Sequence, residues 1–171
     1  MPLLDCPDLI VLALDFDGVL HPALPYFDEQ GSNPHFQDLP ALEAALEPFP
    51  QVGLLISSSW RRRRSRQDLL KAFSPALRQR VLDVTPELPN THAAGVRQRE
   101  VETWMADFAP HARWVALDDV AECYLPGACV VVTGDGFGPR EAALLTQALT
   151  DPVAFARAHP VVHDPRAMIV R

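Results

Sequence analysis

Residues Ile10 to Leu14, I-V-L-A-L, form an unbroken apolar run set between Pro7 and Gly18, and the run ends directly in Asp15 and Asp17. Five apolar residues without alternation predict a strand buried on both faces, and such a strand belongs in a parallel sheet covered by helices on each side. Ligands of these sheets bind in the crevice outside the carboxyl ends of the strands, so both carboxylates stand where chemistry occurs. Gly18 allows the chain to turn sharply at that point. Residues two apart in an extended segment share a side, so Asp15 and Asp17 can face one small site.

A chain of 171 residues suits one α/β domain with a substantial core and is too short for two, so a single domain over residues 1–171 is expected. The formal net charge of −7 argues against general attraction to nucleic acid or to a membrane surface, although a local basic patch would overrule it. Cys6, Cys123 and Cys129 show neither CxxC nor metal-ligand spacing. Their odd number, and the acidic Asp5 and Asp8 ahead of the first apolar run, predict reduced thiols in a cytoplasmic protein with no membrane partner.

Downstream, the pattern repeats. Residues 21–38 contain Pro22, Pro25, Gly31, Asn33 and Pro34, which preclude a regular element, while Tyr26, Phe27 and Phe36 supply aromatic anchors; the segment reads as a short lid or rim loop. Asp38 is placed to cap a helix from Ala41 to Leu46. A second strand, Val52 to Ile56, ends in Ser57, Ser58, Ser59 and Trp60, and Arg61, Arg62, Arg63, Arg64 and Arg66 then open a helix running to Phe73. Most of that arginine run reads as a solvated helix face, with one or two able to grip an anion at the strand ends.

Val81 to Val84 is the third strand, and Val101, Trp104, Met105 and Phe108 give Val96 to Phe108 the spacing of an amphipathic helix. Arg97 and Arg99 lie in its first turn, where a cation opposes the helix dipole unless it serves an anion nearby. Trp114 to Leu117 is a strand ending in Asp118 and Asp119, and adjacent carboxylates there call for a hard cation such as Mg²⁺. Helix capping for the segment beginning at Val120 would account for either aspartate alone but does not need two. Cys129 to Val132 is a fifth strand, and the glycine-rich Thr133 to Gly138 reads as a structural turn into a helix from Pro139 to Leu149. Asp151-Pro152 starts a short helix to Ala158, and Ala167 to Val170 is placed as an edge strand.

Carboxylates with Mg²⁺, a hydroxyl and a fixed cation, all at strand or helix ends, form a set that phosphoryl transfer can use. The order D-F-D-G-V-L, L-L-I-S, a basic residue opening a helix, and V-A-L-D-D resembles the haloacid dehalogenase (HAD) superfamily of phosphatases and phosphotransferases. The resemblance runs from Ile10 to Asp119 and implies a Rossmann-like α/β/α sandwich with a mainly parallel central sheet and no large cap domain. It implies a Mg²⁺-dependent phosphohydrolase in which Asp15 is the nucleophile that becomes an aspartyl-phosphate and Asp17 is the general acid and base. Ser57, or Ser58 if the strand ends one residue later, matches the phosphate-binding hydroxyl, and Arg97 or Arg99 stands where the family usually has lysine. Asp15, Asp118 and Asp119, with the Asp17 backbone carbonyl, match the metal ligands.

Short insertions after the first and third strands imply an open site, which in this superfamily fits macromolecular substrates or closure by a partner subunit. The S-S-S-W-R segment is also similar to small HAD phosphatase domains of nucleic-acid end repair, and the five arginines between Arg61 and Arg66 suit a polyanion. The alternative is a catalytically silent HAD-like domain that binds a phosphorylated partner or scaffolds another protein. An EF-hand reading of D-F-D-G fails, because Val19 and Tyr26 occupy positions that require oxygen ligands.

Overall fold

In the computed structural model, residues 3–23, 35–89 and 93–163 are described. Five strands, β1 (Ile10–Leu14), β2 (Val52–Ile56), β3 (Val81–Val84), β4 (Arg113–Asp118) and β5 (Val130–Val132), form one sheet in the order β3-β2-β1-β4-β5, and every pairing is parallel. The chain builds outward from β1 through β2 to β3, then crosses to β1's other side for β4 and β5. The topological switch point therefore lies between β1 and β4, where an open parallel sheet leaves its crevice.

All residues of β1 and β2 are buried, which is why those two segments read as continuous apolar runs. Alternate side chains serve opposite faces. Ile10, Leu12 and Leu14 pack with Leu39, Leu42 and Leu46 of α1 (Leu39–Leu46), Leu69 of α2 (Arg66–Leu70), Leu77 of α3 (Pro75–Arg78) and Leu145 and Leu149 of α5 (Pro139–Thr150). Leu9, Val11 and Ala13 pack with Val101, Trp104 and Met105 of α4 (Val96–Phe108), and with Tyr124. One face thus carries most of the helices, including Phe155 of α6 (Pro152–Ala158), and the other is covered chiefly by α4. The result is the expected three-layer α/β/α arrangement, and the connections at 15–38 and 85–95 are too short for a large cap.

Several local expectations are corrected. Asp38 makes no side-chain cap bond on α1; its carboxylate accepts the Phe137 N–H at 3.2 Å instead, tying α1 to the start of α5. The arginine run does not form one helix to Phe73: Ser59–Arg62 is a 3-10 turn, and Ser65 ends it by capping α2 through the Asp68 N–H. After Asp118 there is only a 3-10 turn, Ala121–Cys123. The fifth strand begins at Val130, with Cys129 just outside it. The edge strand expected at Ala167 to Val170, and most of the rim loop (24–34), lie outside the described residues.

The three cysteines are unpaired, and burial pushes the Cys123 and Cys129 thiols up to about 12, so both behave as small apolar residues. Among the described residues no helix is long and apolar enough to cross a membrane.

Arg80 closes the end of the sheet opposite the crevice. Its guanidinium donates to the carbonyls of Leu46 at 3.1 Å, Phe49 at 2.6 Å and Val52 at 2.9 Å, joining the end of α1 to the start of β2. Arg80→Lys, which cannot span three acceptors, is expected to lose about 1–3 kcal/mol in urea denaturation, close to the loss for Arg80→Ala. Wild-type stability in Arg80→Lys would show that charge alone is required there.

Candidate active site

Strand register brings the site together. Leu14 pairs with Ile56 on one side and Leu117 on the other, and Ile56 pairs with Val84, so the residues that follow, Asp15, Ser57, Asp118 and Thr85, stand in one row at the carboxyl edge. The ladder continues into this row: the Asp15 N–H donates to Leu117 O at 3.1 Å, Ser57 N–H to Leu14 O at 2.9 Å, and Thr85 N–H to Ile56 O at 2.9 Å. Asp15 is 2% exposed, and Ser57 and Asp118 are fully buried.

Into this row comes Arg97, from the first turn of α4. Its Nη1 lies 2.5 Å from Oδ2 of Asp15 and 2.5 Å from Oδ2 of Asp118. The cation that was unfavourable for the helix dipole is thus held by two carboxylates. Burial pulls the Arg97 pKa down, but Asp118 and Asp15 outweigh it and hold the guanidinium well above its ordinary value. Arg99 turns away, donating to the Ala94 carbonyl at 2.8 Å.

One guanidinium cannot fully neutralise two buried carboxylates. Burial, with the neighbouring Asp15 charge, pushes Asp118 up to about 7 against the pull of Arg97. Asp118 also accepts the Tyr124 hydroxyl at 2.8 Å and the Val120 N–H at 2.9 Å, which fix its orientation. Asp119 completes a cluster with Asp15 and Asp118 in which one oxygen from each lies within 4.8 Å of the others. Gly18 lies against this group at φ +71°, and a Cβ there would sit 2.5 Å from Asp119 Oδ2, so both conformation and space require glycine.

Among the described residues, three buried side-chain polar atoms have no hydrogen-bond partner: Asp15 Oδ1, Ser57 Oγ and Thr85 Oγ1. All three belong to the row. The hydroxyl of Ser58, by contrast, accepts the Trp60 N–H at 3.4 Å as the cap of the following turn.

The Asp17 side chain stands apart from the acidic cluster. It is 38% exposed and accepts hydrogen bonds from Trp60 Nε1 and His21 Nε2. Burial works against its charge, but the His21 and Trp60 hydrogen bonds and the nearby Arg97 hold its pKa below the usual value. Asp17, Ser59 and Trp60, together with Arg62, Arg63 and Arg64, line a cleft of about 360 Å³.

Supporting residues were harder to read from the sequence. Arg61, counted with a solvated run, is buried: it donates to the carbonyls of Thr85, Ser57 and Ser58 and pairs with the buried Glu100 at 2.5 Å. It fixes the ends of β2 and β3 against α4. Its one sequence signal is Glu100, an acidic residue on the apolar face of α4. Tyr124 and Thr85 gave no signal beyond Thr85's place directly after a strand. The glycine-rich turn is structural: the Thr133 hydroxyl and the Gly136 N–H both donate to the Gly18 carbonyl, at 2.6 and 2.8 Å, clamping the turn after β1.

Residues 11–138 match the family model described as the HAD domain in Swiss Army Knife RNA repair proteins, and the chain belongs to that family. No curated protein matches the chain.

With its pKa raised from 3.8 to about 7, Asp118 keeps its proton in the folded metal-free protein where the unfolded chain has lost it. Its stabilising contribution is complete below the unfolded pKa and is lost as the pH rises through about 7. Thermal unfolding in the presence of a chelator should show Tm falling between pH 5 and pH 8, and Asp118→Asn should remove most of that fall. An unchanged slope in Asp118→Asn would assign it to other groups.

Proposed function

We propose that this HAD-family chain is a Mg²⁺-dependent phosphomonoester hydrolase that works through an aspartyl-phosphate on Asp15. One observation carries the reading: the unpartnered buried polar atoms of the described residues fall in a single row at the strand ends, beside Arg97. Unmet hydrogen-bonding capacity in a buried site is costly, and a bound phosphoryl group with its metal would satisfy it.

The donor set fits a hard cation. Asp15, Asp118 and Asp119 offer oxygen ligands close together, Asp15 Oδ1 has no hydrogen-bond partner among the described residues, and Asp15 and Asp118 share the single charge of Arg97. Asp15, Asp118, Asp119 and the Asp17 backbone carbonyl would hold Mg²⁺. Bound there, Mg²⁺ would neutralise phosphoryl oxygens and favour attack on phosphorus.

The chain's own residues supply the remaining steps. Arg97 orients Asp15 through their ion pair, and the Ser57 hydroxyl donates to a phosphoryl oxygen, while Ser58 serves as a cap and Arg99 as a backbone contact. The Asp15 carboxylate attacks phosphorus, the ester P–O bond breaks, and the leaving oxygen takes a proton from Asp17, whose neutral form the bound phosphate's negative charge would favour over the ionised form of the ligand-free protein. Asp17, now a carboxylate, takes a proton from water as that water attacks phosphorus and the bond to Asp15 breaks, releasing phosphate.

For the substrate, we propose a phosphorylated nucleic-acid end. The arginine-lined cleft beside Asp17 supports it, since Arg62, Arg63 and Arg64 would meet backbone phosphates next to the scissile one, and the family's RNA-repair description agrees. The competing reading is a binding domain that recognises phosphate ends without turnover.

A panel of phosphate esters, nucleotides, and 3′- and 5′-phosphorylated oligonucleotides separates these readings. Asp15→Asn is expected to lose about a thousandfold or more in kcat. Chelation should abolish turnover and Mg²⁺ restore it. Equal turnover by wild type and Asp15→Asn would contradict the nucleophile, and binding of phosphorylated ends without turnover of any ester would establish the silent domain. Arg63→Gln should raise KM for an oligonucleotide and lower the salt slope by about one, leaving small esters little affected. Equal effects on both substrate types would argue against a nucleic acid.

A further inference from the structure

Two donors from different parts of the chain converge on the Asp17 carboxylate. Trp60 Nε1 lies 3.0 Å from both Oδ1 and Oδ2, and His21 Nε2 lies 3.0 Å from Oδ1. An indole N–H can only donate. His21 Nδ1 accepts the Phe36 N–H at 3.3 Å, so the neutral ring carries its proton on Nε2 and donates it to Asp17. Phe36 holds φ at +62°, a strained conformation for an aromatic residue, and its N–H is the group that fixes His21.

The indole is held as firmly as the carboxylate it binds. Its ring meets Phe16, Phe36, His21 and His35 at centroid distances of 5.9, 5.4, 5.5 and 5.3 Å, and the Arg64 guanidinium lies 4.7 Å above it. An aspartate at the start of a turn, partly open to solvent, would otherwise sample several rotamers.

We infer that Trp60 is a positioning residue for proton transfer by Asp17: its indole N–H, backed by His21, aims Oδ2 at the leaving oxygen in the arginine-lined cleft. The inference rests on the phosphohydrolase reading and adds to it. Oδ1 accepts two hydrogen bonds and Oδ2 one, so Oδ2 keeps room to carry a proton. As the bond from Asp15 to phosphorus forms, the ester P–O bond gives its electron pair to the leaving oxygen, which takes the proton from Oδ2. The carboxylate so formed is the species that the two donors stabilise.

A half-buried indole often takes any acceptor within reach, and that purely structural role makes a different prediction. A nitrophenolate departs without a proton, whereas a phenolate of higher pKa needs one. Trp60→Phe keeps an aromatic ring and removes the donor. Its loss in kcat on phenyl phosphate is expected to exceed its loss on p-nitrophenyl phosphate by about tenfold or more, with KM for both little changed. In an Asp17→Asn background the same substitution should add no further loss.

Equal losses on the two esters, an effect on KM alone, or full additivity with Asp17→Asn would overturn the assignment. If Trp60→Phe shows no cooperative thermal transition, His21→Phe, which removes the other donor, is read by the same comparison. Failure of the wild-type protein to turn over either ester would instead overturn the phosphohydrolase reading and take this assignment with it.

Discussion

A single guanidinium shared by two buried carboxylates is the interaction on which the site depends. Asp15 and Asp118 end adjacent strands in register, so their side chains emerge side by side, and without a cation they would repel in a medium that screens poorly. Arg97 supplies the cation from α4, the helix that covers the second face of the sheet. Two layers of the fold are thereby joined at the crevice. Burial first, and then the neighbouring Asp15 charge that one guanidinium leaves uncompensated, make Asp118 reluctant to ionise and the acidic cluster suited to a metal.

Around this centre the polar groups divide into those that are satisfied and those that are not. Arg61 and Glu100 neutralise each other while the guanidinium takes up three carbonyls at the ends of β2 and β3, so the strand ends are held rigidly. Tyr124 and the Val120 N–H hold Asp118, and the glycine-rich turn holds the chain after β1. Within this frame, Asp15 Oδ1, Ser57 Oγ and Thr85 Oγ1 have no hydrogen-bond partner among the described residues. A preorganised surround with open valences at its centre is the arrangement expected of a site that binds a highly charged group.

Much of this was legible in the sequence because the two central strands, β1 and β2, are fully buried. Continuous apolar runs gave β1 and β2 at their observed bounds, V-L-D-V gave β3 despite Asp83, and α4 showed helical spacing on its apolar face. Asp15, Ser57 and Asp118 could be placed because each directly follows such a run. What stayed hidden depends on tertiary contacts. Arg61 is indistinguishable by composition from its exposed neighbours, and only the position of Glu100 across the crevice makes it a buried strut. Asp38 has the residue type of a cap, but Phe137 offers it a different donor. The partners of Asp17 come from a loop and a 3-10 turn, where no periodicity aligns His21 with Trp60.

The central claim is that the Asp15 carboxylate, held by Arg97, attacks phosphorus. Acid-quenched reaction mixtures of Asp17→Asn with Mg²⁺ and p-nitrophenyl phosphate, whose leaving group departs without a proton, digested and analysed by mass spectrometry, test it directly, since loss of the proton carrier should slow breakdown of the intermediate but not its formation. The account predicts a phosphoryl group on the peptide carrying Asp15, labile to hydroxylamine and absent when Asp15 is asparagine. Turnover with no phosphorylated peptide, or with the phosphoryl group on another residue, would contradict it.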